Sequence, residues 1–100
     1  MLFGLPDEVL PRLLAILTSN PKIKQLTLYG SRAKGNWRRG SDIDLCIDGA
    51  DLSLRDLDEI DARIDDLLLP WKVDITVLQQ IDNPDLVEHI ERVGVRLYPG

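Results

Sequence analysis

Apolar residues recur near the start of the chain with the spacing of one helix face. From Val9 to Leu17 they fall at i, i+3, i+4 and i+7 positions, and Asn20-Pro21 follows them. This periodicity predicts an amphipathic helix, and the Asn-Pro pair predicts its end.

Two further segments have helical spacing. The longer one follows an N-cap at Ser53 or Asp51, and its apolar stripe runs as far as Leu68. A shorter one begins after Pro84 and ends at Gly94, a residue type that favours helix C-termini. A helical turn is also expected to start at Ser31.

Between the predicted helices, apolar and polar residues alternate one by one. In the segment 42–48, Ile43, Leu45 and Ile47 share one face, and aspartates with Cys46 share the other. Alternation with a period of two predicts strands. The predicted strands cover residues 23–29, 42–48 and 72–78, with a short edge strand over 95–98.

The predicted elements follow the order α-β-α-β-α-β-α. The chain has 100 residues, which suits one domain over 1–100. We therefore expect an α+β (α/β) fold, in which a small mixed sheet is covered by helices.

Composition narrows the class of protein. Hydrophobic residues make up 44% of the chain, which is typical of a globular domain. No apolar run reaches the ~18 residues that a membrane span needs. The N-terminal segment does not resemble a signal peptide, and Cys46 is the only cysteine. These features predict a cytoplasmic protein with no membrane association.

The charge is unevenly distributed. The net charge is -5, from 12 basic and 17 acidic residues, which argues against broad nucleic-acid binding. Residues 30–41 differ, because they contain Arg32, Lys34, Arg38 and Arg39 and no acid. A basic loop on an acidic body predicts a local anion site.

Three aspartates occupy matched positions on two predicted strands. Asp42 and Asp44 are two residues apart and point the same way, with Cα atoms roughly 6.6 Å apart. Asp74 occupies the non-core face of another strand. Three carboxylates on one patch repel each other unless a cation neutralises them, and Mg²⁺ prefers oxygen ligands. The alternative is that each is an ordinary solvent-facing residue, but aspartate is disfavoured in strands.

Gly30-Ser31 supplies a second candidate feature. Glycine has no Cβ, so a phosphate can approach its backbone, and Ser31 offers a hydroxyl. Arg32 and Lys34 could bind further phosphate oxygens. The alternative for the pair is an ordinary strand-to-helix turn, and for the basic residues a solvated loop.

These motifs resemble a known family. Gly30-Ser31, ten residues and then Asp42-x-Asp44 are similar to the signature of the DNA polymerase beta nucleotidyltransferase superfamily. The strings Tyr29-Gly-Ser-Arg-Ala-Lys-Gly35 and Ser41-Asp-Ile-Asp-Leu45 resemble its minimal nucleotidyltransferases. The resemblance continues over 70–78, where it places the third metal-site aspartate at Asp74, and over Gly94-Val-Arg-Leu-Tyr98.

The resemblance implies a nucleotidyltransferase fold and a specific activity. Its members transfer a nucleoside monophosphate to a hydroxyl with two Mg²⁺ ions. It implies catalytic and metal-binding roles for Asp42, Asp44 and Asp74, and nucleotide binding by Gly30, Ser31, Arg32 and Lys34.

The resemblance also implies a partner. Minimal members are paired with a small all-helical protein of the HEPN type. In several toxin–antitoxin pairs they adenylylate it from ATP. Two alternatives stay open: a non-catalytic binding module of the same fold, and transfer to a small molecule or an RNA end. The oligomer could contain copies of this chain, the partner, or both.

Overall fold

A four-stranded mixed sheet forms the centre of the protein in the computed structural model, which describes residues 2–99. The strand order is β3-β2-β1-β4. Strand β1 pairs antiparallel with both β2 and β4, and β2 pairs parallel with β3. The strands are β1 (Gln25–Tyr29), β2 (Ile43–Asp48), β3 (Val73–Val77) and β4 (Val95–Tyr98).

Four helices accompany this sheet, and their positions confirm the helical predictions. Ser53 caps the third one, where its hydroxyl accepts the Asp56 N–H at 3.1 Å. Asn83 caps the fourth by accepting the Asp85 N–H at 2.9 Å. The helices are α1 (Val9–Thr18), α2 (Gly30–Lys34), α3 (Leu54–Asp65) and α4 (Pro84–Val93), with a 3₁₀ turn over Leu78–Gln80.

The alternation along β2 separates two layers. Ile43, Leu45 and Ile47 are fully buried in the main core, which includes the apolar faces of α1 and α3. On the other face, Cys46 is buried in a smaller cluster that contains Ile90 of α4. The aspartates lie on this second face, at the end where β2 begins.

Several boundaries differ from the sequence-based expectations. Strand β1 begins at Gln25 rather than at residue 23, and β3 covers Val73–Val77 rather than 72–78. Strand β2 begins at Ile43, because the first rung of its ladder is the Ile43 N–H donated to the Lys72 carbonyl at 2.9 Å. Helix α2 begins at Gly30 rather than Ser31. Helix α3 ends at Asp65, and Leu68 lies outside it with a φ of 54° and 87% exposure. Leu68 was therefore wrongly assigned to the buried stripe.

Gly94 ends α4, as predicted, but in an extended conformation. A Cβ at this position would collide with the Ile90 carbonyl oxygen and the Thr27 side chain. Close packing of the helix end on β1 therefore requires glycine. Among residues 2–99, no helix has the length and apolar character that crossing a bilayer requires.

Candidate active site

Two of the predicted site aspartates are direct neighbours in the sheet. Asp44 pairs with Asp74 across the parallel β2–β3 ladder, and with Tyr29 across the antiparallel β1–β2 ladder. Paired residues point to the same face, and neighbouring strands lie about 4.8 Å apart. Tyr29, Asp44 and Asp74 therefore form one row across three strands. Asp42 precedes β2 and is exposed at its end.

The charged side chains around Asp44 shift the pKa of its carboxylate. Burial raises the pKa of Asp44 above its usual range, and the negative charges of Asp74 and then Asp42 raise it further. The positive charge of Lys72 opposes this rise in pKa. The structure thus brings Asp42, Asp44 and Asp74 together, as the spacing predicted.

Lys72 was missed by the sequence reasoning. It is exposed, immediately precedes β3, and its carbonyl accepts the hydrogen bond from Ile43. The sequence signal that could have identified Lys72 is its position two residues before Asp74, at the start of the same predicted strand. The parallel register of β2 and β3 brings the Lys72 ammonium close enough to Asp44 to affect the pKa of that carboxylate.

Gly30 lies against the same carboxylate. Its φ is +74°, in the left-handed region, and a Cβ built on it would collide with Oδ2 of Asp44. Both the backbone conformation and the contact exclude larger residues. The β1–α2 turn therefore lies directly against the aspartate row.

Ser31 follows in the first turn of α2 and is half-buried. Its carbonyl accepts the N–H groups of Gly35 and Asn36 at 3.0 and 3.2 Å, which closes the short helix. Within residues 2–99, its hydroxyl has no hydrogen-bond partner. This hydroxyl is available to a ligand at the Gly30 turn.

The side chain of Arg32, which the sequence predicted to be a nucleotide ligand, points into the protein. The side chain is 1% exposed, and its Nε and Nη2 donate to the Ser41 carbonyl at 3.2 and 2.8 Å. Its Nη1 donates to the Phe3 carbonyl at 2.8 Å, and the guanidinium lies 5.8 Å from the centre of the Trp71 ring. Through these bonds Arg32 connects the 35–41 loop, at Ser41, with the N-terminal segment, at Phe3.

The other basic residues of this region remain on the surface. Lys34, Arg38 and Arg39 are exposed, and Trp37 is 39% exposed. Arg38 and Arg39 lie in the 35–41 loop, where the Arg38 N–H donates to Oγ of Ser41 at 2.8 Å. Lys34 alone of the predicted basic ligands combines exposure with a position on α2.

The donor set fits a hard divalent cation. Burial and then the negative charges of Asp74 and Asp42 raise the pKa of Asp44, and a cation would offset those charges. No three acidic, histidine or cysteine side chains within 2–99 converge on a single metal position. The arrangement instead suits carboxylates that act in pairs, such as Asp44 with Asp42 or with Asp74.

Comparison with known proteins is consistent with this geometry. The family model for "Polymerase beta, Nucleotidyltransferase" matches residues 12–99. A protein of Methanocaldococcus jannaschii, provisionally named a protein adenylyltransferase, is 35% identical over 85 residues, which cover 84% of this chain and 86% of the relative.

Solved structures share the fold. A toxin–antitoxin crystal structure with AMP-PNP superposes with a TM-score of 0.71 and 26% identity, covering 94% of this chain and 73% of that chain. A mutant form of the MntA–HepT toxin–antitoxin pair gives a TM-score of 0.69 and 25% identity, covering 94% and 72%.

Proposed function

Given that the chain belongs to the polymerase beta nucleotidyltransferase family, we propose that it transfers AMP from ATP to a hydroxyl group of a partner protein. That the chain is a nucleotidyltransferase follows from the match over 12–99 and from the relative named as a protein adenylyltransferase. ATP as donor, Mg²⁺ as cofactor and a protein acceptor are the parts that we propose.

The observation that carries the proposal is the contact between the Gly30 turn and Asp44. It brings a helix-initiating turn without a side chain directly against a row of carboxylates that continues to Asp74. A triphosphate and carboxylates repel each other, so the two meet productively only around a cation. This pairing supports nucleotide chemistry better than either feature alone.

Two Mg²⁺ ions would be held by carboxylate pairs, one by Asp42 with Asp44 and the other by Asp44 with Asp74. These ions would neutralise the triphosphate and lower the pKa of the acceptor hydroxyl. Gly30 and Ser31 donate hydrogen bonds to phosphate oxygens, and Lys34 adds a positive charge at the surface. Arg32 supports the loop from inside and does not contact the nucleotide.

Asp74 accepts the proton of the acceptor hydroxyl. The hydroxyl oxygen then forms a bond to the α-phosphorus of ATP, and the bond from that phosphorus to the bridging oxygen breaks. Pyrophosphate leaves, and the acceptor retains AMP. Asp74 suits this role because it reaches the row from β3, on the side away from the Gly30 turn.

The partner that we propose is a small all-helical protein of the HEPN type, with this chain as the antitoxin in the cytoplasm. The support comes from the relative named as a protein adenylyltransferase and from the likeness to toxin–antitoxin structures. The acidic surface outside residues 30–41 would attract a basic partner, so association should weaken as salt rises.

The test combines labelled ATP, Mg²⁺, this protein and the helical product of the neighbouring gene. We expect label on the partner, and none when Asp42 and Asp44 are both replaced by asparagine. Complex formation without transfer by the native protein would instead identify a binding module. Absence of both transfer and association at low salt would remove the partner from the proposal.

A further inference from the structure

Strand β3 has an open edge beside the aspartate row. It is the terminal strand of the sheet, and among residues 2–99 its only strand partner is β2. The bond from the Ile43 N–H to the Lys72 carbonyl fixes which backbone groups face β2. In a parallel ladder, alternate residues face the partner strand. The residues whose N–H and C=O groups face outward are therefore Val73, Ile75 and Val77.

This edge is suited to pairing with another strand. The five residues pair with β2 in unbroken register, contain no proline, and leave the side chains of Val73 and Ile75 half-exposed. An open, flat strand with exposed apolar side chains is a template for an added strand.

Two grooves run along the open edge and meet at Asp61. One, of about 590 Å³, lies between the end of α3 and the start of β3, where it includes Trp71 and Val73. The other, of about 500 Å³, lies between α3 and the start of α4, where it includes Ile75. Together they offer space for alternate side chains of a segment lying along β3.

The charged side chains that line these grooves are mainly acidic, which favours a basic occupant. Asp61, Asp65 and Asp82 line them, and Lys72 is the one basic side chain in either lining. Burial raises the pKa of Asp61, and the charges of Asp65 and Asp58 raise it further. A second copy of this chain would bring like charges together, whereas a basic segment would be attracted.

We propose that an extended, basic segment of the partner protein adds to β3 as a fifth strand and places its acceptor hydroxyl beside Asp74. The row from Tyr29 through Asp44 to Asp74 continues onto such a strand, about 4.8 Å further on. The residue opposite Asp74 has its side chain on the same face as the carboxylates. The proposal rests on the proposed transfer, since it names how the acceptor reaches that site.

The test uses a short synthetic peptide that alternates lysine and valine, with a single tyrosine in a valine position, and an acidic twin with glutamate for lysine. The tyrosine then shares the face of Asp74, and the lysines face the grooves that Asp61 and Asp65 line. Residue-resolved amide exchange is measured with the peptide and the complete protein. We expect the basic peptide to protect the amides of Val73, Ile75 and Val77, and the acidic twin to leave them unprotected.

A matched pair of variants tests the charge. Asp61→Lys reverses a charge in the groove, whereas Glu59→Lys makes the same change on the same helix, in a hollow lined by Ser19 and Arg63. We expect Asp61→Lys to weaken peptide binding roughly 5-fold, the size of a surface charge reversal, and Glu59→Lys to leave it unchanged.

The outcomes distinguish binding of the peptide at the β3 edge from transfer of AMP to its tyrosine. Protection of the three amides with a selective effect of Asp61→Lys supports the edge site, even if the tyrosine receives no AMP and the proposed transfer fails. Transfer to the peptide without this protection overturns the edge site and leaves the proposed function standing. The edge site is also overturned if the basic peptide does not bind, or if the two variants have equal effects. It is overturned as well if self-association of the protein, without peptide, protects the same three amides.

Discussion

The Asp44 carboxylate occupies the space that any side chain at position 30 would need. A Cβ there would collide with Oδ2 of Asp44, and the φ of +74° already disfavours other residues. The β1–α2 turn and the carboxylate of β2 are thus fitted to each other, and a change in one displaces the other.

Gly30→Ala should abolish metal-dependent nucleotide binding, and Gly35→Ala is its control. Gly35 also has a positive φ, of +89°, but a Cβ there meets nothing within 4 Å. Both variants should lose about 1–2 kcal/mol of stability from the left-handed conformation. Only Gly30→Ala displaces Asp44. Calorimetric titration with Mg²⁺ and ATP measures the difference, and equal affinities for the two variants would contradict the fitted turn.

Asp74→Asn should reduce AMP transfer at least ~100-fold, the low end of a general base's contribution, with near-normal Mg²⁺–ATP affinity. Asparagine keeps the shape but cannot accept the proton. Transfer to the partner and ATP binding are measured side by side. Asp42→Asn with Asp44→Asn should instead lose the metal-dependent binding itself. Normal transfer by Asp74→Asn would make Asp74 a structural strand residue.

Metal binding should weaken as pH falls. Because burial and the neighbouring charges of Asp74 and Asp42 raise the pKa of Asp44, the folded protein holds a proton there at pH values where the unfolded chain has released it. Stability of the metal-free protein therefore decreases as pH rises from the ordinary aspartate pKa through the raised one. A cation competes with that proton, so its affinity falls as pH drops through the raised pKa.

Asp74→Asn provides the control for this pH dependence. Removing the Asp74 charge lowers the pKa of Asp44, so the decline in Mg²⁺ affinity should move to lower pH. The metal-free variant should also be roughly 0.5–1 kcal/mol more stable, as expected for relief of a partly exposed charge pair. Affinity and urea unfolding are measured across pH, and an identical profile in both proteins would exclude coupling between the two carboxylates.

Arg32→Lys should destabilise the fold by about 2–4 kcal/mol, because a lysine cannot reproduce the forked contacts to Ser41 and Phe3. Arg38→Lys, at an exposed position of the same basic loop, should leave stability unchanged. Chemical unfolding compares the two. A direct nucleotide contact would instead make Arg32→Lys weaken ATP binding without a matching loss of stability.

The sequence predicted the elements of the fold well because local periodicity governs them. The alternation in β2 placed Asp44 opposite the buried face, and the caps at Ser53 and Gly94 marked helix ends. The strand order and the direction of pairing could not be read from these patterns. They depend on which strands meet after the intervening loops close, and no local spacing encodes that.

Only part of the site was predictable, because local periodicity fixes which face a strand residue occupies but not which distant residues it contacts. Asp44 and Asp74 were expected to share a patch, and the parallel register makes them neighbours. The environment of Arg32 was not predictable, because it depends on Phe3 and on Trp71, which are distant in the chain. A basic residue in a basic loop has the same sequence pattern whether it faces solvent or the interior.

Tyr29 gives the row of aspartates an optical reporter. Its hydroxyl lies 3.0 Å from that of Thr76, so the ring reaches across β2 beside the carboxylates. Burial raises the pKa of Tyr29, the hydrogen bond with Thr76 lowers it, and the charges of Asp44 and Asp74 raise it further. A bound cation would offset those charges and let the phenol ionise at lower pH. Ultraviolet absorbance of the phenolate would then follow cation occupancy without any label, and Tyr29→Phe would abolish the response.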